Sequence, residues 1–219
     1  MKGNYELKVL AKNSLQGNWP MAILVCVAAW LLTDACTGNN GKEAAQYIWE
    51  NGQLVKNASS SFNGLASLVS FLLGGSINFG LAVYFLHLVR KEKAQFSDLF
   101  AGFKTFFKNF VLYLLITVFT ILWFMLLIVP GFIALLKYSM AFYIMRDNPE
   151  LTPMEAIRRS KELMYGHKTR LFFFWLSFIG WFILGLITFG LGFLYLFPYY
   201  NTAKACFYED LVEQPAEDF

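Results

Sequence analysis

The stretch Arg146–Arg170 reads RDNPELTPMEAIRRSKELMYGHKTR and is the longest charged run between two strongly apolar blocks. Within it, Thr152-Pro153-Met154-Glu155 is a helix start. A threonine caps, a proline takes the first helical position, and a glutamate three residues after the cap reaches back. Gly166 supplies a stop, and the apolar run resumes at Leu171. The sequence therefore predicts a helix over about 153–166, lying between two apolar hairpins.

At 100° per residue this helix has two faces. Ala156, Ile157, Ser160, Leu163, Met164 and His167 fall on one. Glu155, Arg158, Arg159, Lys161 and Glu162 fall on the other. Such a helix suits the headgroup zone of a bilayer, apolar face down. Arg158, Arg159, Lys161, Lys168 and Arg170 would then meet anionic lipid headgroups or a partner protein. The plainer reading of the same charges is that they only enforce topology.

The flanking blocks say what the solvent is. The chain has 219 residues, 57% hydrophobic and only 15% charged, against about 25% charged in an average soluble domain. There is no Lys, Arg, Asp or Glu over 13–33, 57–89, 109–136 or 171–203. About 20 apolar residues cross a bilayer core, so lipid surrounds most of this chain. The run 109–145 carries one charge, Lys137. As one helix it would be about 55 Å long, so Val129-Pro130-Gly131 is expected to break it in two. Gly185–Gly190 is expected to turn the last block, and Pro198 to kink its second half.

Charge position sets orientation. Of the 18 basic residues, five lie in 90–109 and six in 146–170. Lys and Arg concentrate in cytoplasmic loops. Two basic loops on one side require an even number of spans between them, which independently supports the break near Pro130. The expected fold is all-α, a polytopic transmembrane bundle of six spans in three hairpins with both termini cytoplasmic. The spans are about 19–33, 65–89, 110–129, 132–145, 171–185 and 190–207. An extracytoplasmic loop covers 34–63. Interfacial cytoplasmic helices cover about 3–17, 97–108 and 153–166, and an acidic tail 209–219. The whole chain is expected to form one integral-membrane domain. Its N-terminus does not read as a cleavable signal, because the apolar run starts only near Trp19.

Few residues carry candidate chemistry. Lys137, deep in an apolar run, either faces a polar cavity or snorkels outward, with Asp34 as a possible partner. Asn78 is an intramembrane amide suited to interhelical hydrogen bonding, or to a transport path beside Lys137. Ser67, Ser70 and Gly74, and Ser76 with Gly80, make small faces for close helix approach. The two histidines, His87 and His167, exclude H-E-x-x-H and argue against a histidine metal cluster. Cys26, Cys36 and Cys206 form no C-x-x-C pair, and no phosphate loop or nucleophile–base set is visible. No catalytic, cofactor or metal residue is assigned, and no nucleic-acid partner is expected. There is also an internal echo. Lys12-Asn13-Ser14-Leu15-Gln16-Gly17-Asn18 parallels Lys161-Glu162-Leu163-Met164-Tyr165-Gly166-His167, each before an apolar block, with Phe100–Lys104 as a looser third copy.

Several strings together resemble a known family. They are Tyr5-Glu6-Leu7-Lys8 through Gly17-Asn18-Trp19, Val129-Pro130-Gly131, Lys137-Tyr138-Ser139-Met140-Ala141 and Asp147-Asn148-Pro149-Glu150-Leu151. Glu155-Ala156-Ile157, Ser160 to Met164, Ser177 to Trp181, Pro198-Tyr199 and Ala205 to Leu211 complete them. The chain resembles the bacterial integral-membrane family catalogued as domain of unknown function 975, common in Gram-positive bacteria. The first loop, 34–63, is not part of the match. The resemblance implies a polytopic membrane protein and brings no catalytic residues. The expectation is a non-enzymatic scaffold or regulatory partner of another envelope component. The alternative is a small transporter or flippase-like protein for a lipid or amphipathic peptide.

Overall fold

A computed structural model describes residues 2–34, 47–50, 53–56, 63–188 and 190–213. Apart from a short antiparallel hairpin, β1 (Tyr47–Glu50) and β2 (Gln53–Lys56), the described chain is helical. The hairpin lies within 34–63, the segment expected to be an extracytoplasmic loop. Cys36, the sequon-like Asn57-Ala58-Ser59 and most of the acidic tail fall outside the described residues.

Ten α-helices follow one another. They are α1 (Asn4–Leu15), α2 (Trp19–Asp34), α3 (Asn63–Val89), α4 (Phe106–Leu126), α5 (Ile128–Tyr138), α6 (Ala141–Asp147), α7 (Pro153–Leu163), α8 (Lys168–Leu176), α9 (Ile179–Ile187) and α10 (Leu191–Val212). A 3-10 helix, Phe96–Phe103, precedes α4. Among the described residues, four segments are long and apolar enough to cross a membrane: Val69–Val89, Phe106–Leu126, Ile128–Asp147 and Lys168–Ile187. The α1–α2 pair, bent by 99°, makes a fifth if it is taken as one unit.

Burial divides the bundle into two ends. At one, α1, α6, α7 and the adjoining ends of α3 and α10 enclose Leu7, Tyr84, Phe85, Met140, Ile157 and Phe207, all essentially without solvent contact. At the other, Met125 to Val129 and Ile183, Leu184, Leu186 and Ile187 are exposed apolar side chains. In the Val69–Val89 segment 56% of positions are buried, but in Phe106–Leu126 only 17% are. So α3 is a central helix and α4 shows most of its surface to the surroundings. An apolar surface of this extent has no stable contact with water.

The small face of α3 is used for the closest approach in the bundle. A Cβ on Gly80 would lie 1.9 Å from the Leu99 carbonyl oxygen, and one on Gly102 would lie 2.1 Å from that of Ser76. The 3-10 helix therefore presses backbone to backbone against mid-α3. This replaces the separate amphipathic helix expected over 97–108. A continued α-helix would carry Gly102 off this contact, because it advances less per residue and turns further.

Other boundaries shift for local reasons. The break between α4 and α5 falls at Leu127, not at Pro130. Pro130 lies in the first turn of α5, where its missing N–H leaves no bond unmade. Gly131 lets α5 approach the Phe124 ring, which a Cβ would meet at 2.5 Å. The expected turn over Gly185–Gly190 is present, with Gly190 at φ 92°. Helix α7 starts as read, with Thr152 Oγ1 accepting from the Glu155 N–H and the Glu155 carboxylate accepting from the Thr152 N–H at 2.8 Å. These bonds hold the Glu155 carboxyl below the usual range. The helix ends at Leu163, and Gly166 turns the chain at φ 75°.

One environment differs from expectation. Ala156, Ile157, Ser160 and Met164 are fully buried, but against α4, α5 and α6. The apolar face of α7 is covered by the protein itself and not by lipid. Periodicity says that a face is buried but not what buries it.

Candidate functional site

Two knots of charge close the compact end. Arg90, just past α3, donates from both Nη atoms to the Asp147 carboxylate at 2.9 and 2.7 Å, and from Nε to Glu209 at 2.8 Å. Arg146 and the Tyr208 hydroxyl donate to the same Asp147 at 2.7 and 2.9 Å. The Asp147 bonds raise the Arg90 pKa further above its ordinary value. Arginine's planar fork suits this bidentate pairing, and the result ties together the ends of α3, α6 and α10.

In the second knot Arg170 pairs with Asp210 and also donates to the Lys2 carbonyl at 2.6 Å. The Lys2 backbone N–H donates to Asp210 at 3.1 Å, and its ammonium meets Glu213 at 2.9 Å. The N-terminal segment, α8 and the C-terminal end of α10 are thereby locked together. Nearby, His87 lies 2.9 Å from Asp98 and 3.4 Å from Glu92. Among the described residues no three His, Cys, Asp or Glu side chains gather as a metal site.

Two helix breaks receive a polar cap from an amphipathic helix. Ser160 on α7 donates to the Lys137 carbonyl at 2.7 Å, just before the α5–α6 break. Lys8 on α1 donates to the Ser177 carbonyl at 2.8 Å, in the α8–α9 break, and lies over the Phe178 ring at 4.6 Å. Carbonyls freed where a helix breaks need such partners.

The residues singled out from sequence are distributed as follows. Asn78 faces a cleft of about 190 Å³ between α2, α3 and α10, lined by Cys26, Trp30, Ile77, Phe197 and Asn201 among others. Its amide donates to the Gly74 carbonyl one turn back, at 2.8 Å. Lys137 is elsewhere, beside α4 and α7, with its ammonium 5.7 Å from the centre of the Trp123 ring. The two are not brought together, and Asp34 is described only as the last residue of α2.

The five basic residues of the expected headgroup face also separate. Arg158 pairs loosely with Glu162 at 3.7 Å, and Arg159 reaches Asn148 at 3.2 Å, both outward. Lys161 turns toward Phe119 and Tyr138, at 5.9 and 5.6 Å from the ring centres. Lys168 lies 5.4 Å over Tyr165. Arg170 points inward, with its side chain 16% exposed and its partner Asp210 5% exposed.

A family model described as "Protein of unknown function (DUF975)" matches residues 1–136 and 121–215. The chain belongs to this family. No curated protein and no solved structure matches it. In this DUF975 chain both charge knots lie inside the matched ranges. Sequence reasoning missed their members Arg90, Asp147, Glu209 and Asp210. The available signal was the acidic pair Glu209-Asp210 directly after an apolar block. A pair there must find cations, and Arg90 and Arg170 flank two other apolar blocks.

Proposed function

We propose that this protein is a multi-pass protein of the bacterial plasma membrane that acts without catalysis, as a scaffold or regulatory partner of another envelope component. It crosses the membrane six times with both termini cytoplasmic, α2 and α10 joining the four long apolar segments as its first and last spans. The support for this topology is the meeting of charged segments. The N-terminal segment, the end of α3, Asp147, Arg170 and the C-terminal end of α10 join at one end of the bundle. Segments that meet at one end are separated by even numbers of crossings, and basic loops favour the cytoplasm.

The observation that carries the scaffold reading is the separation of Asn78 from Lys137. A transport path would be expected to pass both intramembrane polar groups. The cleft holding Asn78 is small and mostly apolar, and the Asn78 amide is already bonded within its own helix.

Two measurements test the reading. Single cysteines at Lys12, Lys93 and Glu162 should react with an impermeant reagent only from the cytoplasmic side. Purified protein in liposomes with a fluorescent phospholipid should not accelerate scrambling, while a photo-crosslinker at Trp30 or Leu122 in cells should give one discrete adduct. Protein-dependent scrambling that Lys137→Leu abolishes would overturn the scaffold in favour of a lipid transporter.

A further inference from the structure

Three ammonium groups lack a counter-charge at the junction of α4, α5, α7 and α8. Lys137 comes from α5, Lys161 from α7, and Lys168 from the start of α8. Lys161 and Lys168 both act electrostatically on Lys137. Among the described residues none of the three has a carboxylate within ion-pair distance. Elsewhere at this end Arg90, Arg146, Arg170 and Lys2 each meet a carboxylate, and Lys8 and Lys108 donate to backbone carbonyls.

The three amines are held by aromatic faces instead. Lys137 lies over Trp123, while Lys161 lies over Phe119 and Tyr138, whose rings are 6.2 Å apart. Phe119 and Trp123 are four residues apart on α4, so they share one face about 6 Å apart along the helix. The two ammoniums therefore sit about one helical turn apart along that face. Ser160 fixes the backbone beneath them through the Lys137 carbonyl.

Apolar surface leads away from these amines. Phe172 and Leu176 follow Lys168 at four-residue steps on α8 and its end, and Ile133 and Val129 precede Lys137 on α5. All four are exposed. Positions four apart share a helix face. A group of cations at the head of an exposed apolar track has the layout of an amphipathic anion.

We infer that Lys137, Lys161 and Lys168 hold the phosphate of one anionic glycerophospholipid, with an acyl chain along the exposed faces of α5 and α8. This rests on the membrane reading above but not on the scaffold role. A free phosphate offers the same headgroup charge, but it would leave the apolar track uncovered. Arg158 and Arg159 lie on the outward face of α7 and are not part of the site.

Native mass spectrometry of the purified full-length protein tests this, with phosphatidylglycerol and phosphatidylcholine offered in turn. One phosphatidylglycerol should be retained per protein in preference to phosphatidylcholine. Retention should weaken about fivefold for each charge removed in Lys137→Gln, Lys161→Gln and Lys168→Gln. The variant Lys168→Glu supplies an internal counter-charge and should lose retention in a folded protein, with folding judged by its melting temperature. The pair Arg158→Gln and Arg159→Gln should retain the lipid as the parent does. Equal retention by the lysine variants, or equal loss in the arginine pair, overturns the site. Displacement of the lipid by millimolar inorganic phosphate would reassign it to free phosphate. Because the readout is lipid on the isolated protein, its failure is separate from failure of the scaffold reading, which turns on cross-linking and scrambling.

Discussion

Helices α1–α2 and α7–α8 are two versions of one device that the chain uses differently. In each, an amphipathic helix ends at a left-handed glycine, Gly17 at φ 82° or Gly166 at φ 75°, and an apolar helix follows at once. In each, a side chain of the amphipathic helix caps a carbonyl at a helix break. The third, looser copy around Gly102 is a 3-10 helix and not such a unit. The difference lies in the cations. In the first unit Lys8 binds a carbonyl and Lys2 binds Glu213. In the second, Lys161 and Lys168 face aromatic rings, and the charge of each acts on Lys137. The first unit is a strut closed on the protein. The second has the same frame but leaves charge available to something outside it.

The sharpest break in this comparison is at the knot that anchors the first unit. Asp210→Ala leaves Arg170 buried without its partner and frees the Lys2 backbone, and should destabilise by about 3–5 kcal/mol. Thermal unfolding in detergent would show the loss. Lys8→Met removes a charge-assisted hydrogen bond and a ring contact, and should lower stability by about 1.5–3 kcal/mol.

The glycines test what the units share. Ala at Gly17 or Gly166 meets no atom within 4 Å, so only the backbone conformation is strained. Each substitution should cost about 1–2 kcal/mol, with similar drops in melting temperature. A drop at one site alone would show that the units are not equivalent. Ser160→Ala, which uncaps the Lys137 carbonyl, should cost about 1 kcal/mol.

The smallest effects should come from the second unit's cations. Lys161→Gln or Lys168→Gln should leave the melting temperature unchanged or slightly raised in lipid-free detergent, since each removes repulsion and no ion pair. Acid should act weakly at the same helix. The Glu155 carboxyl is held below its usual range, so its capping contribution is present above the unfolded value and fades as pH falls through the folded one. Amide exchange in the first turn of α7 should speed up below about pH 4, and in Glu155→Gln it should be insensitive to that change.

Much of the fold was legible because its signals are local. The predicted starts near Trp19 and Leu65 match α2 and α3 to within two residues. The Thr152 cap, the turn before Gly190 and the small face of α3 are all present. Pro130 misled by three residues, because a proline fits the first turn of a helix as well as the gap before it. The five basic residues read as one face because spacing along a helix says nothing of Arg170, which lies beyond the glycine turn.

By itself the sequence determined that apolar segments separate charged ones, where α2, α3 and α7 start, and which face of α7 is covered. Hydrophobic periodicity, caps and glycine turns depend on residues within a few positions of one another. Only the tertiary structure decided that Arg90 meets Asp147 and Glu209, that Arg170 meets Asp210, and that Lys8 reaches Ser177, pairs separated by 57, 119, 40 and 169 residues. It also decided that Lys137, Lys161 and Lys168 converge without a carboxylate. Which charges are neutralised depends on how helix ends pack in space, a property that no local stretch of the chain contains.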